Sequence, residues 1–396
     1  SGTLNFGSNT DTINNLTVSG GTVSGSGTLT ALGNINVSGG TVSISALNGA
    51  YQFSGGTINS LMYGLTLTVT GNTTTTNSSF YSGATSVNSG TLTVTGTGFG
   101  TTEAATTVAS GASVHIDRSG KSLQSYDEVF NLSGTGVSNS GALQATGAVT
   151  LTGAINLNAD TRIVTNSGGT LVISNTSTGI DGSSGNYNLT LAGAGDMTVS
   201  GPINLGTGTL TKGVTGTLTL SGALTVGSIS DLNRATIAAN ITTSNNQTYS
   251  GGADIGPGTI NLTSSSGNVT FSDTVRGIGT SPKPTVSIDG NLVLNSGANV
   301  ESSVGVLSVT GTSSLAANVT TATTQSYTGA ITLTADSTLT GTTITAANIN
   351  NDGNNLTINT TASNSAITGV FSGSGNLTKS GSGNLTLSGT NTSTGD

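Results

Sequence analysis

The sequence predicts a right-handed parallel β-solenoid, and three observations carry that prediction. Apolar residues alternate with Thr, Ser and Asn in short runs, a ten-residue segment returns after about 19 residues, and glycine pairs stand where a coil would turn. The first observation decides against the two obvious alternatives. The chain has 396 residues with 61 Gly and no Trp, and only 6% are charged. A spherical interior under a surface of about 25% charged residues is not built from that inventory. Chains rich in Gly, Ser, Thr and Asn otherwise stay disordered, because they bury too little to offset conformational entropy. Here, however, Thr91-Leu-Thr-Val-Thr95 and Thr217-Leu-Thr-Leu220 have the period of a strand with one buried face. Thr, Val and Ile dominate, stiff side chains that suit a pleated surface, and no stretch shows apolar residues at helical spacing.

The repeat sets the coil length. Asn15-Leu-Thr-Val-Ser-Gly-Gly-Thr-Val-Ser24 returns as Asn34-Ile-Asn-Val-Ser-Gly-Gly-Thr-Val-Ser43. Leu16 and Val18 are matched by Ile35 and Val37, and Val23 by Val42, with Gly20-Gly21 and Gly39-Gly40 at corners that need positive φ. Gln247-Thr-Tyr-Ser-Gly251 echoes Gln325-Ser-Tyr-Thr-Gly329, and Ala154-Ile-Asn-Leu-Asn-Ala-Asp160 echoes Ala330-Ile-Thr-Leu-Thr-Ala-Asp336. Both distances are read as whole numbers of coils, roughly four and nine, at about 19–20 residues each. About twenty coils stacked about 4.8 Å apart make a rod on the order of 90 Å long. One coil buries five or six aliphatic side chains at roughly 1.5–3 kcal/mol each, while ordering its backbone costs roughly 1–2 kcal/mol per residue. A coil therefore depends on its neighbours, and stability is shared along the stack.

Residues 1–396 are read as one continuous solenoid segment, with irregular loops or widened coils near 98–130 and 272–290. The first of these stretches concentrates Glu103, His115, Asp117, Arg118, Lys121, Asp127 and Glu128, and the second carries Arg276, Lys283, Pro282 and Pro284. The net charge of -8 leaves no basic stripe for phosphates, so nucleic acid is not an expected partner. No apolar run approaches the roughly 18 residues of a membrane span. The absence of Cys fits export without disulfide chemistry, and the chain reads as a piece of something longer.

With these features in view, Ile241-Thr-Thr-Ser-Asn-Asn-Gln-Thr-Tyr-Ser250, Ser266-Gly-Asn-Val-Thr-Phe-Ser272 and Thr320-Thr-Ala-Thr-Thr-Gln-Ser-Tyr-Thr-Gly329 resemble the central repeats of filamentous-haemagglutinin-like adhesins exported by two-partner secretion. Gly375-Asn-Leu-Thr-Lys-Ser-Gly-Ser-Gly-Asn-Leu-Thr-Leu-Ser-Gly-Thr-Asn391 is similar to the short strand repeat of autotransporter passengers. The resemblance implies export through an outer-membrane transporter to the cell surface or extracellular matrix of a Gram-negative bacterium. It also implies a role in adhesion or biofilm cohesion, with a host-cell or matrix glycan or protein, or another adhesin copy, as partner. Neither an amino-terminal secretion module nor a carboxy-terminal membrane barrel is found in the sequence, so either export route fits.

No catalytic, cofactor-binding or metal-binding residue is assigned, and the chain is expected not to be an enzyme. His115, two residues before Asp117 on a shared strand face, lacks an identified nucleophile and is read as a loop histidine. A polysaccharide-active solenoid would need carboxylates about one coil apart. Asp160, Asp181 and Asp196 come nearest to that spacing, and the third breaks register. Gly193-Ala-Gly-Asp196 and Gly251-Gly-Ala-Asp254 are single, imperfect echoes of a calcium-binding nonapeptide, so no metal and no cofactor is expected. The Thr-x-Thr pairs Thr28/Thr30, Thr66/Thr68 and Thr150/Thr152 raise an ice-binding alternative, which needs them stacked on one flat face. Asn in sequons such as Asn15, Asn131, Asn240 and Asn384 is read as bridging coil corners. If this segment itself touches a partner, His115, Asp117, Arg118 and Lys121 are the expected contact, read as exposed and replaceable by Ser without loss of fold, with Tyr126 and Phe130 as anchors or core.

Overall fold

The computed structural model describes residues 2–101, 104–279 and 281–395. The chain is an all-β solenoid of parallel stacked coils, about 18 turns in number. Its contacts divide it into two compact units, Ser1–Gly206 with Gly213–Gly216, and Thr207–Lys212 with Thr217–Asp396. The helical content among the described residues is a single 3₁₀ turn at Val137–Asn139, and no helix is long and apolar enough to cross a membrane.

Within the first unit the predicted repeat is the ladder itself. Leu16 pairs with Ile35 and Val18 with Val37, while Val23 pairs with Val42. All six side chains are buried and the residues between them face outward, as a period of two requires. The intervening corners hold Gly21 at φ 73° and Gly40 at φ 76°. A Cβ on Gly40 would come within 2.4 Å of the Gly21 carbonyl oxygen, so the close approach of successive corners excludes any side chain there.

Each early coil has three faces. Residues 22–25, 28–31 and 34–37 of the long strand Thr22–Val37 supply one coil, and the strand Thr41–Phe53 supplies the next in register. Coil length varies more than the predicted repeat implies. Ala46 pairs with Leu61 across a short coil, whereas the coil that pairs Val114 with Leu143 is nearly twice as long. Longer coils in the middle of the first unit bring the turn count below the expected twenty, because residues added at a corner leave the inward pattern unchanged. In the stretch 98–130, the strands Thr106–Val108, Ser113–Asp117 and Gln124–Tyr126 stay in parallel ladders. In the stretch 272–290, Pro282 and Pro284 precede the strand Thr285–Leu294 and so take no donor from its ladder.

One inference from spacing is overturned. Within the second unit Gln247 stacks on Val269, Leu292, Ser313 and then Ile331, while Gln325 stacks on Leu307 and Val286. The two Gln-x-Tyr segments therefore lie in different ladders, and their spacing is not a count of equivalent coils. What they share is local. Both Gln side chains are buried, each accepts a hydrogen bond at Oε1 from the Tyr Oη two residues on, and each donates from Nε2 to backbone carbonyl oxygens, Thr263 in one case and Val319 and Thr340 in the other. A buried amide inside a coil needs all these partners.

Asparagine and aspartate close the corners. Asn299 Oδ1 accepts from the Asn318 backbone N–H, and Asn318 Oδ1 from that of Thr338. Asp336 accepts from Asn355, and Asn355 Oδ1 from Asn376. In the first unit Asn15 serves Asn34, Asn72 serves Thr91 and Asp160 serves Asn188. The second echo is likewise local, because Asp160 serves Asn188 ahead of the strand Leu189–Gly193 and Asp336 serves Asn355 ahead of Leu356–Thr360, strands of two different sheets. We expect Asn318→Ala to cost about 1 kcal/mol, because an exposed donor left behind can turn to water. Hydrogen exchange at the Thr338 amide reads that loss.

Candidate functional site

Two places on the first unit combine chemistry with access. The first is the charged stretch. Glu103 lies outside the described residues. His115 stands in a ladder between Thr93 and Gln144, half-buried, with Nε2 2.8 Å from Thr146 Oγ1. Burial lowers its pKa below the ordinary value against the opposing pull of Asp117, so the ring is neutral at neutral pH. Burial raises the Asp117 carboxyl, but hydrogen bonds from Ser119 Oγ and N–H outweigh it and hold the group below the ordinary aspartate value.

Arg118 is not an exposed contact. It is 7% exposed, and its guanidinium donates to the carbonyl oxygens of Thr95, Gly96 and Ser122. Lys121 Nζ also reaches Thr95 O, at 2.6 Å. The two cations cap carbonyls that the preceding coil leaves without ladder partners, which overturns the reading of Arg118 as freely replaceable. We expect His115→Ser, Asp117→Ser and Lys121→Ser together to leave the coil folded, with a change of about 0.5 kcal/mol. Arg118→Ser alone should cost about 1–3 kcal/mol by removing charge-assisted hydrogen bonds at a buried site. Urea midpoints of the two variants compare them directly.

Tyr126 and Phe130 fill the core, both edge-on to Phe99 at centroid distances of 5.6 and 5.3 Å, with Tyr126 Oη donating to Gly96 O. Beside them Glu128 is buried and accepts from Thr106 Oγ1 at 2.7 Å. Burial raises its pKa to about 7 against the hydrogen bonds from Thr106, and neighbouring Asp127 adds to the rise.

The second place is a groove of about 960 Å³ on the outer surface of the first coils. It runs where the chain bends from its first face to its second. Asn5, Ser24, Ser43 and Asn59 line it in one register across four coils with Asn77 in the fifth, and Ser8, Ser26, Ser45 and Leu61 also line it. Small residues at the bend, Gly7 and Gly25 among them, keep it open. Two residues beyond Leu61, and so on the same outward side of the strand Leu61–Val69, Tyr63 stacks on Phe80 of the next coil with centroids 5.5 Å apart and planes at 21°. Both rings are about half exposed, at 40% and 49%.

The remaining candidates have structural settings. Asp160 caps Asn188, and Asp181 accepts from Ser183 N–H in a turn and lies in a ladder with Asn156 and Asn204. Asp196 pairs with Thr170. In the second unit Asp254 is gripped by Arg234 at 2.9 Å and Arg276 at 2.7 Å. Burial raises its carboxyl, but the two guanidinium groups outweigh that and hold it below the ordinary value. Thr28 and Thr68 belong to separate ladders, so the Thr-x-Thr pairs do not form one face.

No family model, curated protein or solved structure matches the chain.

Sequence reasoning missed the groove, the stacked rings and the Arg234–Asp254–Arg276 cluster. Their members lie one coil apart along the chain, and adjacency in a stack is visible only once each coil's length is known. The Gly-Ser runs at residues 7–8 and 24–27 were the one available signal for the groove.

Proposed function

We propose that this chain is a shaft segment of an exported bacterial surface adhesin, a structural element rather than an enzyme. The observation that supports this most is the parallel stack itself, with aliphatic residues inward and mostly uncharged Thr, Ser and Asn outward. Such a stack gains stability coil by coil and can be extended without a new core. Partners in this reading are a host-cell or matrix glycan or protein, or another adhesin copy, with an outer-membrane transporter during export. The resemblance of its repeats to filamentous-haemagglutinin-like and autotransporter sequences points the same way.

Deleting the segment from its parent protein tests the proposal. Attachment of the bacteria to cells or matrix, or their aggregation, should fall while export of the shortened protein continues. Undiminished adhesion with normal export would overturn it. Incubation with acidic and neutral polysaccharides separates the enzymatic alternative, since release of products by the purified chain would remove the structural reading. Thermal hysteresis would do the same in favour of ice binding.

A further inference from the structure

We propose that the groove beside Tyr63 and Phe80 binds a neutral oligosaccharide chain. This deepens the adhesin reading by naming a ligand class and a site, and rests on it only for biological purpose. Three observations converge. First, the side chains lining the groove are hydroxyls, carboxamides and two aliphatic groups, with no ionisable group among them. An anionic or cationic ligand would find no counter-charge there, whereas Ser and Asn both donate and accept, as sugar hydroxyls do.

Second, part of that hydrogen-bonding capacity is uncommitted. Ser24, Ser43 and Ser45 line the groove with hydroxyls that make no hydrogen bond among the described residues, while Asn59 Oδ1 accepts from Thr76 Oγ1 and Asn77 Nδ2 donates to Asn59 O, which fixes the amides in place. Third, the Tyr63–Phe80 pair, two residues beyond the lining Leu61 and three beyond the lining Asn77, offers flat apolar surface held in one arrangement by stacking between coils. Pyranose rings carry axial C–H groups that pack on such a surface and leave their hydroxyls to the polar side.

The dimensions favour a chain over a single sugar. The polar wall spans five successive coils, from Asn5 to Asn77, and coils stack about 4.8 Å apart, giving a length on the order of 19 Å. A ladder of near-identical side chains at a fixed rise suits a polymer with its own fixed repeat.

The test uses the whole chain, immobilised, with linear neutral oligosaccharides of increasing length and their acidic counterparts as probes. Affinity for the neutral set should rise with length until the groove is filled, and should change little with salt, because no charge is involved. Tyr63→Ala with Phe80→Ala should weaken binding on the order of tenfold or more. Ser43→Tyr, which obstructs the groove from an exposed position, should do the same while the variant keeps wild-type circular dichroism. Binding that persists in both variants, a preference for the acidic probes, or no binding by the folded wild type would overturn the inference. Cell adhesion measured in parallel keeps the two proposals apart: adhesion lost on deleting the segment but retained in both groove variants would overturn the site alone.

Discussion

Phe271→Ala should destabilise the second unit by about 3–5 kcal/mol, the range for emptying a large aromatic site that cannot collapse. Phe271 is 1% exposed, and its ring lies 4.8 Å from that of Tyr249 in the preceding coil, with planes at 16°. Tyr249 in turn positions Gln247 through its hydroxyl, so the truncation removes ring contact beneath a residue that organises a buried amide. Backbone pairing of Tyr249 to Phe271 and of Phe271 to Leu294 persists in the variant, which confines the defect to side-chain packing. Because coils interact chiefly with neighbours, the loss should appear first as faster hydrogen exchange in residues 247–249 and 292–294. Protection there equal to wild type would contradict the packing argument.

A second large effect concerns Glu128. Its folded pKa of about 7 lies above the 4.5 of the free side chain, so between these values the folded chain holds a proton that the unfolded chain has lost. Stability is therefore full below about pH 4.5 and falls as pH rises through about 7, by about 3 kcal/mol in all. Glu128→Gln keeps an acceptor for Thr106 and carries no charge. It should remove the decline and leave the variant more stable than wild type at pH 8, with little difference at pH 4. Urea unfolding or exchange at residues 106–108 and 130–132, measured at both pH values, checks the sign. Equal pH dependence in the two proteins would show that Glu128 is solvated when ionised.

How much of this was legible beforehand depends on whether the signal was local. Leu16 and Ile35, or Gly21 and Gly40, sit in near-identical strings, and each strand with its corner is determined within one such string, so ladder and turn followed from the sequence. The Gln247 and Gln325 segments show where that reasoning stops. Identical local chemistry can occupy different faces, because coil length is set at corners whose composition of Ser, Thr, Asn and Gly hardly changes with length. The short coil from Ala46 to Leu61 and the long one from Val114 to Leu143 differ in this way. Arg118 failed for another reason. Its charge reads as surface, yet a long side chain can turn back and cap carbonyls of the coil beneath, and only the fold shows those carbonyls to lie outside the ladder.

A run of Asn and Asp corner bonds shares one direction. At the corners from Asn15 and Asn34 through to Asn355 and Asn376, the carboxamide or carboxylate accepts the backbone N–H of the coil that follows in sequence. The finished coil is therefore a mould with its acceptors already set, and the arriving coil needs only to bring backbone. A chain delivered amino-terminus first meets its template in the right order at each step, whereas one delivered in reverse would have to place its donors before anything held them. The stack thus carries an arrow, and growth along it is chemically distinct from growth against it.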